Sequence, residues 1–332
     1  MTPSDAAPDT KNAKRSALLE QANAAYDAGD HMRALSLFDE VIAAGIDSEI
    51  VYNNKGAALD ALGMYERATE SYRAAVRRAP GYELAWHNLG NCLYSRELFE
   101  EAASAYSKAS SLNPSRLENL AGLANSYSKL GKARRAKGAL RRLVEAGPSK
   151  SPVRLMAAEI LLDLELSAEA AEMCLDHIRL QGESMRALSV LGTAYHEAGD
   201  YARAAQTFEK ALTMSPSDKE MFNNLGYSLF CAGFLEPALS AFDKALAIDP
   251  GYKHAWYNKG YSLHGAERLS EALECYERAL AIDPRDRVLW NNYGNALYNL
   301  GRFEESIPRF VEALRVDPDY EIAWNNIGNA LE

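Results

Sequence analysis

KHAWYNKGYSLHGAERLSEALECYERALAIDPRD, residues 253–286, decides the fold. Trp256 stands fourth in it, Gly260 eighth, Leu263 eleventh, Ala272 twentieth, Tyr276 twenty-fourth and Ala279 twenty-seventh, with Pro284 near the end. Residues 287–320 repeat the order with Trp290, Gly294, Leu297, Ser306, Phe310, Ala313 and Pro318. Steps of three and four belong to a helix. Each period therefore predicts two helices, parted by a short turn carrying Gly63, Gly131, Gly199, Gly233 or Gly301.

Outward from this pair the same punctuation runs through the chain. Pro80, Pro114, Pro148, Pro216, Pro250, Pro284 and Pro318 lie 34 or 68 residues apart, and Gly182 fills the vacant slot. Proline ends a helix because it has no N–H to donate and clashes with the preceding turn. Small residues recur where helices must meet: Gly56, Gly90, Gly192, Gly226, Gly260, Gly294 and Gly328 at the eighth position, and Ala34, Ala68, Ala102, Ala136, Ala170, Ala204, Ala238 and Ala272 at the twentieth. Glycine inside a helix costs about 1 kcal/mol relative to alanine, so its recurrence predicts close approach, which we assign to a neighbouring backbone. Trp86, Trp256, Trp290 and Trp324 are read as core.

Trp86, Leu89, Gly90 and Leu93, then Ala102 and Tyr106, then Pro114, resemble a tetratricopeptide repeat. The likeness covers residues 15–332. It gives full units at 15–48, 49–82, 83–116, 117–150, 151–184, 185–218, 219–252, 253–286 and 287–320, with a lone first helix at 321–332. It implies an all-α fold, a right-handed superhelical solenoid of antiparallel helix pairs whose first helices line the concave side. The unit at 151–184 is irregular, with Arg154 for the large apolar residue and Glu165 for the turn glycine. It is either a drifted repeat or a bend after the linker-like stretch 147–152, with Ser151 as N-cap and Pro152 at the first helical position. Residues 1–14 lack apolar periodicity and are expected to be disordered. Pro308 is expected to kink the second helix of its unit. The unpaired helix at the end suggests truncation or a cap.

Composition narrows the function. The chain has 332 residues, 48% apolar and 25% charged, with a net charge of −10. Residues 129–154 are the exception, with nine basic residues against Glu145 alone. Nucleic acid is therefore an unfavoured partner, this basic patch being its one candidate region. No apolar run approaches the ~20 residues of a membrane span. A signal peptide is not evident, and Cys92, Cys174, Cys231 and Cys275 stand apart, so we expect a reduced, cytoplasmic protein. No catalytic constellation, cofactor motif or metal-ligand cluster emerges.

One face of the first helices stands out. Its sixth positions hold Asn54, Asn88, Asn224, Asn258, Asn292 and Asn326. The ninth hold Asn23, Asn91, Asn125, Asn295 and Asn329, and the fifth Asn53, Asn223, Asn291 and Asn325. Asparagine is a poor helix former, so this many on one face calls for a reason. Its amide can pair with the N–H and C=O of an extended peptide. The pattern is similar to the asparagine ladder of protein O-linked N-acetylglucosamine transferase repeats, which implies peptide binding in an Asn-lined groove. A merely hydrated face is the alternative. Tyr227, Tyr257 and Tyr261 join it as aromatic anchors, with Tyr94, Phe230 and Tyr298 beside them. The basic clamp that grips chaperone tails is not supported by Arg186, His254, Lys55 and Lys259. The expected function is a non-enzymatic protein–protein scaffold. The alternatives are a substrate-recognition arm of a larger, glycosyltransferase-like enzyme and a scaffold that self-assembles through residues 321–332.

Overall fold

The computed structural model describes residues 10–148 and 152–331, with side chains from residue 14. Among these it contains helices and turns only, in two compact parts that divide at Leu164 and Glu165. The first part holds α1 (Thr10–Asp27), α2 (His31–Ala43), α3 (Glu49–Ala61), α4 (Tyr65–Arg78), α5 (Glu83–Ser95), α6 (Phe99–Leu112), α7 (Leu117–Lys129), α8 (Ala133–Ala146) and α9 (Val153–Asp163). The second holds α10 (Ser167–Gln181), α11 (Met185–Glu197), α12 (Tyr201–Met214), α13 (Lys219–Cys231), α14 (Leu235–Ile248) and α15 (Lys253–Gly265). It ends with α16 (Leu269–Ile282), α17 (Arg287–Asn299), α18 (Phe303–Val316) and α19 (Glu321–Leu331). Each part is an all-α array of helices paired through short turns. The division falls inside the irregular unit, beyond the 147–152 stretch.

Boundaries follow local chemistry. Ser48, Ser184, Asp218 and Asp286 cap first helices by accepting from backbone N–H groups of the opening turn. Two expectations are corrected at helix ends. Helix α1 starts at Thr10, so residues 10–14 are helical, because extending a formed helix costs far less than nucleating one; residues 1–9 lie outside the described residues. Helix α9 starts at Val153 with Pro152 as its N-cap residue, and Ser151 also lies outside them. Helix α18 continues through Pro308, whose missing N–H takes one bond out of the ladder.

The turn between paired helices requires a left-handed residue at the fifteenth position. Gly29, Gly63, Gly131, Gly199, Gly233 and Gly301 supply φ between +65° and +87°. Glu97, Glu165 and Glu267 occupy the same slot at φ +59°, +58° and +60°, a region that side chains disfavour. Glu97→Gly and Glu267→Gly are each expected to stabilise the fold by about 0.5–1 kcal/mol, read as a rise in Tm on thermal denaturation.

The eighth-position glycines have a different neighbour from the one expected. A Cβ at Gly56 would sit 2.7 Å from Tyr72, at Gly90 2.8 Å from Tyr106, at Gly192 2.6 Å from Phe208, at Gly226 2.7 Å from Phe242, at Gly260 2.8 Å from Tyr276 and at Gly294 2.5 Å from Phe310. The intruder is the ring at the twenty-fourth position of the same unit, not a backbone. These rings are the heart of each hairpin: Tyr72, Phe208, Phe242, Tyr276 and Phe310 are essentially inaccessible. Where the fourth unit has Ala124, its ring is replaced by Leu140. The first unit seats Phe38 with Ala22, both fully buried, so there the ring accommodates one methyl.

The tryptophans are not core residues. Trp86, Trp256 and Trp290 are half-buried at junctions between units, and Trp324 is 58% exposed. Each indole Nε1 donates to the carbonyl of the preceding unit's terminal proline: Pro80 (2.9 Å), Pro250 (2.9 Å), Pro284 (2.9 Å) and Pro318 (3.1 Å). Junction and core reuse one proline, as helix stop and as acceptor.

Candidate functional site

In each part, first helices touch the first helices of adjoining units, as α1–α3–α5–α7–α9 and α11–α13–α15–α17–α19. The second helices within each part pack on first helices and not on one another. First helices are thus crowded together, and their shared face carries the asparagines.

The structure joins these asparagines into a ladder. Asn88 Nδ2 donates to Asn53 Oδ1 (2.9 Å), Asn258 to Asn223 (2.9 Å) and Asn326 to Asn291 (2.8 Å). The sixth position of one unit thereby reaches the fifth position of the unit before, 35 residues back. Asn292 Nδ2 donates to the Tyr257 hydroxyl (3.1 Å), which takes asparagine's place at a fifth position, and Asn54 donates to Asn23 (3.0 Å). The fifth-position amides are buried, Asn53 at 3%, Asn223 at 7% and Asn291 at 3% exposure. They hold units together rather than face a ligand.

Each rung uses one N–H of a sixth-position amide and the C=O of a fifth-position amide. At Asn88, Asn258 and Asn326 the second N–H and the C=O are left over. Asn224 differs, because Ser189 stands at the fifth position before it. It accepts from Asn223 (3.4 Å) and its nitrogen donates to no side chain among the described residues. Asn224 also lines a cleft of about 140 Å³ with Thr193, His196, Phe208 and Tyr227. Asn91 is engaged, accepting from Tyr106 (2.7 Å) and bonding His87 (3.1 Å). Asn125 is half-buried on α7 in the first part. Asn295, half-buried, and Asn325, exposed, make no side-chain hydrogen bond among the described residues.

The aromatics cluster as the sequence suggests. Tyr257 and Tyr261 stack with centroids 6.2 Å apart, Phe230 meets Tyr261 edge-on at 6.0 Å, and His196 lies 5.0 Å from Tyr227. Tyr261 is 43% exposed at the surface of this group. Burial raises the Tyr227 and Tyr257 phenols above their ordinary range and lowers His196 and His264 below theirs. Both imidazoles are therefore neutral at pH 7 and act as hydrogen-bonding groups, His196 with Ser228 (2.9 Å) and His264 with Asn299 (2.8 Å). Burial also pushes the Cys275 thiol up to about 11, which removes it as a nucleophile.

Sequence reasoning missed two participants. His87 takes a fifth position and bonds Asn119 Oδ1 at 2.8 Å, while Asn119 donates to Glu83 (2.7 Å); an asparagine at an apolar third position was the available signal. Thr193, at a ninth position where other units carry asparagine, lines the cleft, and nothing in the repeat pattern marks it. Among the described residues no group of three His, Cys, Asp or Glu could hold a metal ion, and no helix is long and apolar enough to cross a membrane.

Paired helices of fixed period, ring-on-glycine cores and proline-ended units define a tetratricopeptide repeat array. Comparison agrees: a tetratricopeptide repeat profile matches residues 19–83, 53–116, 122–184 and 155–219, and related profiles match 254–286, 275–307 and 294–332. The chain belongs to the tetratricopeptide repeat family. It is similar to small glutamine-rich tetratricopeptide repeat-containing protein 2 of Mycosarcoma maydis, 29% identical over 37% of this chain and 35% of that one. It is also similar to the human PEX5-related protein, 30% identical over 47% of this chain and 27% of the relative. Human DnaJ homolog subfamily C member 7 is 24% identical over 64% of this chain and 46% of the relative. The chain spans less than half the length of each.

Proposed function

We propose that the chain is a protein-binding scaffold whose first-helix face, between α11 and α19, receives an extended segment of a partner. The observation that carries this reading is the set of polar groups the fold itself leaves unused: the Asn224 nitrogen, the amides of Asn295 and Asn325, and the carbonyl edges of Asn258 and Asn326. An extended backbone offers N–H and C=O groups at regular intervals, which suits acceptors and donors that recur once per unit. Tyr227, Tyr257 and Tyr261 supply rigid apolar area among them. At the face positions of these helices charge is confined to Arg186, Glu197 and Glu220, so recognition depends on amides and rings. Asn258 and Asn292 also brace the array, which makes them poor probes of binding.

The test uses peptides selected from a random extended-peptide display library against the full chain. Asn224→Ala, Asn295→Ala and Tyr261→Ala combined should weaken the selected peptides by about tenfold or more, since each lost contact is worth about 0.5–1.5 kcal/mol. The Tm should hold, and affinity should change little between about 0.1 and 0.5 M salt. Failure to select any peptide, or unaltered binding by the triple variant, overturns the reading.

A further inference from the structure

Helix α8 contains one glycine with no packing reason. Six eighth-position glycines, Gly56 to Gly294, are needed because rings lie within 2.8 Å of where their Cβ atoms would go, whereas a Cβ at Gly138 would meet nothing within 4 Å. Its neighbours are arginines. Arg134 and Arg135 lie one turn before it and Arg141 and Arg142 one turn after, the spacings that place residues side by side on a helix surface. All four are exposed.

Their charge is largely unneutralised. Arg134 and Arg142 make no ion pair among the described residues, and Arg141 approaches Glu145 only at 4.0 Å in solvent. Arg135 lies 5.7 Å over the Tyr127 ring. That ring borders a cleft of about 480 Å³, lined on α6 by Ser104, Ser107, Lys108 and Ser111. A basic platform with a bare helix backbone at its centre thus adjoins a pocket of hydroxyls.

We propose that Gly138 and the four arginines form a second binding site, which takes the phosphomonoester of a phosphorylated partner segment. A phosphate carries nearly two charges on a compact group, and guanidinium forks bind it bidentately. The missing Cβ lets that group approach the helix among all four side chains. Residues flanking the phosphate find donors in the serine cleft. A broad anionic surface fits less well. Glu100 and Glu145 border the platform and would repel an extended anionic surface such as a membrane or a nucleic-acid strand, and no large apolar side chain on α8 is exposed to insert into lipid. The platform from Arg134 to Arg142 is also only about 12 Å long.

The experiment compares the full chain's affinity for degenerate peptide libraries centred on phosphoserine or phosphothreonine with that for unphosphorylated counterparts. Phosphatidylserine vesicles and a random single-stranded DNA serve as competing probes. Phosphorylated peptides should bind about tenfold or more tightly than their counterparts, and Arg134→Ala and Arg142→Ala should each remove about that factor. Binding should also weaken below about pH 6, where the phosphate takes up its second proton. Gly138→Ala separates this role from a structural one: it should raise the Tm while weakening phosphopeptide binding. Equal binding of both libraries, tighter binding of vesicles or DNA, or a Gly138→Ala protein with a higher Tm and full affinity would each overturn the proposal.

Discussion

Phe242→Ala should destabilise the seventh unit by about 3–5 kcal/mol, the range for emptying a buried aromatic site. The ring is fully buried against Gly226 between α13 and α14, and no second ring fills its place. Gly226→Ala should cost about 1–3 kcal/mol, because its methyl would lie 2.7 Å from the ring. The fourth unit indicates how the two changes combine. There Ala124 accompanies Leu140, so Gly226→Ala with Phe242→Leu should cost clearly less than the two single changes added. Tm values together with amide exchange in α13 and α14 would read the cycle. Strict additivity would mean that ring and glycine are not coupled.

Trp290→Ala should have an effect of similar size by another route. The indole packs on the cluster built around Tyr276 and Tyr293 and also on the one built around Phe310 and Ala323, so it joins consecutive hairpins. Removing it should cost about 3 kcal/mol, the low end for a tryptophan because it is only half-buried. Trp290→Phe keeps most of the packing and loses the bond to the Pro284 carbonyl, for about 1 kcal/mol. The signature of a junction residue is where the loss appears. Amide protection should fall first in α18 and α19 and last in α13, whereas uniform loss would place Trp290 in a single shared core.

The repeat was legible because its residues obey backbone rules. Proline stops a helix wherever it stands, and a left-handed turn selects glycine, so Pro250, Pro284, Gly233 and Gly301 announce the hairpins from sequence alone. What the glycines are for was harder to read. Spacing places Gly226 and Phe242 on facing helices but does not say that ring meets backbone. The asparagines pose the same difficulty more sharply. Their shared face follows from three-four spacing, yet whether an amide turns to the ligand or to the next unit depends on a contact 35 residues away. Asn258 and Asn224 are alike in sequence and differ in the structure, because one has Asn223 to bond and the other has Ser189. The tryptophans were misread for a related reason: an indole that needs an acceptor stays at the rim, where the Pro284 carbonyl is.

The ladder's reach of 35 residues, one period and one step, has a consequence for how such a chain can change length. Suppose residues 253–286 were excised as one whole period. Asn292 would then stand 35 residues after Asn223, and Trp290 would stand six residues after Pro250. The amide rung and the indole latch would both find partners of the kind they have now. Loss or duplication of a single repeat thus keeps both spacings, while a change of any other length within the helices shifts one partner of each such bond across the join. Change in the array is easiest in whole periods, and on the function proposed above the span of a bound segment would be quantised in the same unit.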